Sequence, residues 1–173
     1  MKDPEIRCVL TFFRAALHTV LYTDRIVRYI QVERSLLHSL LRMFHDLGMY
    51  VDAFEAPFLR TTREFYTAEA AMQLQSMDIP SYLAHVRERL TDEEGRIVHY
   101  LHISTRKALL QTTLQTLLAS HVDAIIEKGF TNLMDQSRLD ELSCMYTLFG
   151  LVDAHPRLRQ VRVDVTISTR RPN

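Results

Sequence analysis

Hydrophobic positions recur at helical spacing through most of the chain and switch to strict alternation only near its end. Ile6, Val9, Leu10, Phe13, Leu17, Val20 and Leu21 mark one helix face, with Asp3 placed as cap and Pro4 as first helical residue. Asp24 opens a second stripe, Ile26, Val27 and Ile30, which continues through Leu37, Leu40, Leu41, Phe44 and Leu47. The alternative is a break near 33–35, where Ser35 would cap a new segment. Gly48 ends this stretch, since glycine takes the left-handed conformation after a helix end without steric strain. Asp52 opens a third helix, with Phe54, Phe58, Phe65 and Met72 on one face and Tyr66 beside them. Pro57 is tolerable there only in the first turn, because proline offers no N–H to the helix ladder.

Asp78, Ile79 and Pro80 read as a cap and first turn, leading a helix through Leu83, Val86, Leu90, Ile97 and Leu101. Ser104 and Thr105 begin the next, through Leu109, Leu110, Leu114 and Leu117. Residues 120–134 then place Val122, Ile125, Ile126, Phe130 and Leu133 on one face. Gly129 falls inside that stripe, at about 1 kcal/mol relative to alanine, which suits a close approach by a neighbouring helix. A last helix spans 138–152 through Leu139, Leu142, Met145 and Phe149, and His155-Pro156 breaks the pattern. In the tail, Val161, Val163, Val165 and Ile167 alternate with Arg162, Asp164, Thr166 and Ser168, a strand period with no second strand to pair with. Residues 161–173 therefore read as disordered or as a lone edge. The fold class is all-α, roughly seven helices joined by short turns, a bundle or a helical-repeat solenoid without exact internal repeat.

Composition narrows the class. The 173 residues, 47% hydrophobic with four glycines, five prolines and no tryptophan, suit one domain with a substantial core and favour helix over sheet. No apolar run approaches the ~20 residues of a membrane span, so no membrane partner is expected. The N-terminus lacks the apolar core of a signal peptide. Cys8 and Cys144 read as free thiols in a reducing compartment, cytoplasm and/or nucleus. Formal charge is zero but unevenly spread: residues 1–155 carry 16 Lys+Arg against 20 Asp+Glu, and residues 156–173 carry five Arg against one Asp. The body thus offers no basic face to a nucleic-acid backbone, and the short tail from Arg157 to Arg171 is weak evidence for one.

Candidate chemistry is sparse. His99 and His102 can share a helix face, with His85 and His121 as further nitrogens, but no metal-binding motif joins them; they read as surface or helix-end histidines. Asp92, Glu93 and Glu94, flanked by Arg89 and Arg96, read as a solvated, ion-paired face rather than a tuned acid pair. Cys144 sits in an apolar pattern and reads as a buried small hydrophobe. Met43, Phe44, Met72, Met134 and Met145 read as core before adaptable groove. No nucleophile elbow and no glycine-rich phosphate loop is present. The chain is expected to have no catalytic, cofactor-binding or metal-binding residue and not to be an enzyme.

Several short motifs, in order, resemble the cullin family. They are Phe65-Tyr66 with Ala68-Glu69, Tyr82-Leu83, Arg89-Leu90, Glu93-Glu94, Arg96, Tyr100-Leu101-His102 and Ser104-Thr105, followed by Glu127-Lys128-Gly129-Phe130, Leu133-Met134-Asp135 and Met145-Tyr146-Thr147-Leu148-Phe149. The stretch 35–43 and the Glu-Lys-Gly-Phe wording are most similar to the cullin-four type. The resemblance implies cullin-repeat helical bundles stacked as a short solenoid-like stalk, with 1–160 covering most of the second repeat and the start of the third and 161–173 not matching. It implies a sequence truncated at both ends, without the adaptor-binding and RING-binding regions. It further implies a non-catalytic scaffold of a ubiquitin ligase complex, acting in ubiquitin-dependent degradation with protein partners only. The alternative is a truncated helical interaction module, or a non-functional fragment, that self-associates through exposed helix faces.

Overall fold

The structure, a computed structural model, describes residues 34–160. The stripes expected at 6–30, Cys8, and the alternating, arginine-bearing segment 161–173 lie outside the described residues. The helices are α1 (Arg34–Asp46), α2 (Ala56–Ser76), α3 (Ile79–His99), α4 (Thr105–Leu117), α5 (Val122–Ile125), α6 (Thr131–Asp135) and α7 (Leu139–Gly150). A π-helical turn, Val51–Glu55, runs directly into α2, and another, Ile126–Phe130, joins α5 to α6. No strand occurs among the described residues, and the protein is all-α.

The chain divides into two compact units, residues 1–61 with 94–108, and 62–93 with 109–173. In the first, α1 ends where the sequence places its stop. Gly48 has φ +66°, its N–H bonds to His45 O at 2.9 Å, and Met49 N–H bonds to Phe44 O at 2.9 Å. This paired arrangement satisfies carbonyls that the helix end would otherwise orphan. Leu37, Leu41, Phe44, Tyr50, Phe54, Phe58, Ile97, Tyr100 and Leu101 are buried, and Leu47 is exposed because it follows the last turn of α1. Asp52 does not open the next helix: the helical run has already begun at Tyr50, and Asp52 lies inside the π turn. Pro57 consequently sits beyond the first turn. The wider π turn before it, with Ala56 N–H bonded to Val51 O, is the local adjustment that admits a residue without an N–H.

In the second unit the Asp78 cap holds. Its carboxyl is lowered by the Ser81 hydroxyl and backbone N–H it accepts, and Tyr82 N–H bonds to Asp78 O at 3.0 Å. Tyr66, Tyr82, Leu83, Val86, Leu117, Leu118, Ile125, Ile126, Phe130, Met145 and Phe149 build one continuous core, with Phe65, Leu90, Leu114 and Cys144 packed at its edge. Met72 belongs to the opposite, solvent face of α2. On α4, Thr112, Thr113 and Thr116 are buried beside the expected leucines. Thr113 and Thr116 hydroxyls donate back to Leu109 O and Thr112 O at 3.0 and 2.8 Å, so the helix buries them without orphaned donors. His155-Pro156 does not end the helical structure: residues 155–160 form a further turn, with Pro156 inside its first turn and Leu158 buried.

Candidate functional site

Several polar residues of the sequence motifs, Tyr66, Glu69, Tyr82, Glu93 and Arg96 among them, lie in the interior, whereas Glu94, Glu127, Lys128 and Tyr146 are exposed. In the second unit, Tyr66 on α2 is fully buried and its hydroxyl donates to the carboxylate of Glu93 on α3. Three residues along α2, Glu69 Oε1 accepts from Arg89 Nη2 at 2.5 Å and Nε at 3.1 Å, while His85 Nε2 lies 3.6 Å from the same oxygen. Burial pushes the Glu69 carboxyl up, but nearby His85 and the hydrogen bonds and charge of Arg89 outweigh it and hold it below its usual range. Burial lowers the Arg89 guanidinium, and Glu69 more than restores it. Tyr82 donates to Leu117 O at 2.6 Å, tying α3 to α4. Burial, then the Glu69 charge, raises its phenol, so it stays a donor.

A second network lies in the first unit. Thr105 Oγ1 donates to Glu55 Oε2 at 3.0 Å, so its single proton is spent, and the 2.7 Å contact with Tyr50 has the tyrosine as donor. Tyr50 Oη in turn accepts from His102 N–H at 3.3 Å. The chain His102, Tyr50, Thr105, Glu55 thus runs in one direction onto a carboxylate, which polarises each bond in the same sense. Burial raises the Tyr50 phenol.

The Glu-Lys-Gly-Phe motif is a junction. Lys128 Nζ donates to Leu74 O at 2.5 Å and Met77 O at 2.9 Å, capping the C-terminal end of α2 with a cation, where the helix dipole favours one. At Gly129 a Cβ would stand 2.5–2.7 Å from Ile79 side-chain carbons, including its Cβ, so the π turn and the start of α3 approach as only glycine permits. Phe130 adds its ring to the core.

The residues singled out by sequence disperse. His99 is exposed, His121 is held below its usual value by burial, His85 joins Glu69, and His102 lies in the turn after α3. No group of three or more His, Cys, Asp or Glu is arranged to hold a metal ion among the described residues. The acidic run is not a solvated face: Glu94 is exposed, Asp92 is half-buried, and Glu93 is wholly buried against Tyr66. Helical periodicity turns every residue by 100°, so three consecutive acids cannot share one environment. Cys144 is half-buried at the core edge. Phe44 and Met145 are core, whereas Met43, Met72 and Met134 are exposed. Sequence reading missed the roles of Glu69, His85, Lys128 and Tyr50, since their partners lie 16 to 55 positions away and leave no local pattern.

These buried interhelix bonds join segments of an α-helical solenoid. The cullin alpha solenoid domain matches residues 9–167, and the chain belongs to the cullin family. Within that family its likeness is to the cullin-4 type. It is 44% identical over 121 residues to Cullin-4A of Mus musculus and, equally, of Homo sapiens, covering 70% of this chain and 16% of each relative. It is 34% identical over 148 residues to Cullin-4 of Dictyostelium discoideum, covering 85% of this chain and 18% of that protein. Cullin-like protein 5 of Arabidopsis thaliana is 35% identical over 127 residues, 73% of this chain and 29% of that protein. The chain thus spans only 16% to 29% of the length of these relatives. No helix among the described residues is long and apolar enough to cross a membrane.

Proposed function

We propose that the chain is a non-catalytic scaffold segment of a cullin-type ubiquitin ligase, a spacer acting in ubiquitin-dependent protein degradation in the cytoplasm and/or nucleus. On this reading residues 1–160 correspond to most of the second cullin repeat and the start of the third, and the adaptor and RING subunits bind elsewhere in the complex. The observation that carries it is where the family-like residues spend their polar groups. Tyr66, Glu69, Tyr82, Arg89, Glu93 and Lys128 bond to other helices or to the end of one. Residues used for recognition or catalysis present polar groups to a ligand, whereas the bonded atoms of these residues fix helix against helix. A stiff spacer acts by holding two reacting ends at a set separation, which raises their effective concentration.

The test is a chimera. Residues 9–167 replace the matching segment of a full-length cullin-4-type scaffold, and ubiquitin transfer by the reconstituted ligase is timed. The expected result is transfer within about tenfold of the parent, with a much larger loss when a glycine/serine linker of equal length takes the same place. Equal rates for chimera and linker overturn the spacer reading. Self-association through exposed helix faces is the weaker reading. Among the described residues the most exposed large apolar ones, Val98 at 80% and Leu139 at 75%, stand on different helices, and singly placed apolar residues are ordinary at protein surfaces.

A further inference from the structure

In the first unit, a groove of about 460 Å³ lies between α1 and the turn that follows α3. Arg42 and His45 come from α1, and His102 and Ile103 from the turn, over a floor of Leu41 and Tyr100. Hydrogen bonding fixes what His102 offers. Ser104 N–H donates to its Nδ1 at 3.3 Å and the Ser104 hydroxyl lies 2.8 Å away, so in the neutral ring Nε2 carries the hydrogen. That assignment makes Nε2 a donor and unfit to ligate a metal. The ring is held in place by stacking on His45, with centroids 3.9 Å apart, and by its backbone bond to Tyr50. Arg42 pairs with no carboxylate among the described residues. The acid that lines the groove, Asp46, lies 3.9 Å from His45 Nδ1.

A pre-oriented ring N–H donor beside a guanidinium that pairs with no carboxylate among the described residues calls for an anion with acceptor oxygens. The volume exceeds that of a lone carboxylate, and Ile103, 64% exposed, offers an apolar edge. We propose that this groove docks an acidic residue of a partner protein, its carboxylate on Arg42 and His102 and an apolar neighbour against Ile103. The site does not depend on the spacer reading, since the chimera experiment can fail without touching it.

The test uses the 173-residue chain and three probes: acetyl-Leu-Glu-Leu-amide, its glutamine counterpart and inorganic phosphate. The readout is the NMR signals of the histidine rings. The glutamate peptide is expected to shift the His102 and His45 signals saturably. The glutamine peptide, and the Arg42→Ala variant with the glutamate peptide, should bind at least about tenfold more weakly, as loss of a charge-assisted bond requires. Arg42 is exposed, so this variant should fold normally, with an unchanged melt as the check. Absence of saturable shifts, equal binding of the glutamine peptide, or unchanged binding by Arg42→Ala overturns the proposal. Phosphate shifting the same rings at equal or lower concentration also overturns it, by making the groove a small-anion site.

Discussion

At Gly129 the space a methyl group would take is already filled by Ile79. Alanine is the better helix former by about 1 kcal/mol, yet the contacts at 2.5–2.7 Å include Ile79 Cβ, which no rotamer change can move. Gly129→Ala is therefore expected to destabilise the fold by about 1–3 kcal/mol, seen as a lower midpoint in urea. Ile79→Ala removes the Cγ1 and Cγ2 contacts but keeps Cβ, so Gly129→Ala should cost less, though still something, in the Ile79→Ala background, a coupling that a double-mutant cycle measures. Ser137 gives the opposite sign. It closes α6 with φ 53°, and its successor Arg138 N–H bonds back to Leu133 O at 3.0 Å, the arrangement Gly48 makes at the end of α1. A non-glycine residue is strained there by about 1–2 kcal/mol, so Ser137→Gly should raise the melting temperature, whereas Gly48→Ala should lower it. Gly129 was legible as an interior glycine because the apolar stripe continues through it. Ser137 was not, since nothing in its side chain announces a left-handed backbone.

Between elements, the decisive contacts are the buried polar pairs of α2 and α3. Removing one member of a buried ion pair leaves the other desolvated and uncompensated, so Arg89→Ala is expected to cost about 3 kcal/mol or more by chemical denaturation. Glu69 adds a pH signature. Its folded pKa is lowered, so its stabilisation is complete above its ordinary value of 4.5 and fades as pH falls through the lowered folded value. Melting temperature should drop on acidification below about pH 4.5, and Glu69→Gln should show a smaller drop. A drop of the same size in both proteins would assign the acid sensitivity to other carboxyls. Asp78 and Glu141, also lowered, share the direction but lie at the surface. The helices themselves were legible, because a stripe at 3.6-residue spacing is set by geometry alone. The pairing of Tyr66 with Glu93 was not, since three adjacent acids read as a charged surface until a second helix supplies the tyrosine. The π turn before Pro57 was likewise hidden, because proline marks a difficulty in a helix without stating how the chain resolves it.

Over the whole molecule, zero net charge with an acid-rich body predicts no affinity for nucleic acid of the counterion-release kind. A titration with duplex DNA between 50 and 200 mM salt should show no binding that weakens steeply with salt; a steep negative slope would assign the arginines of residues 157–171 a binding role. The sequence by itself determined the all-α class, the bounds of most helices among the described residues to within a few positions, the caps at Asp78 and Gly48 and the likeness to cullins. Each of these depends on residues near one another in the chain. Only the tertiary structure decided that Tyr66, Tyr82, Glu69, Glu93 and Arg89 turn inward as pins. It also decided that Lys128 caps a helix more than fifty residues before it, and that Arg42 and His102 line one groove. The physical reason is that burial and hydrogen bonding depend on which helices come together, and that is fixed by packing of the stripes rather than by any local pattern.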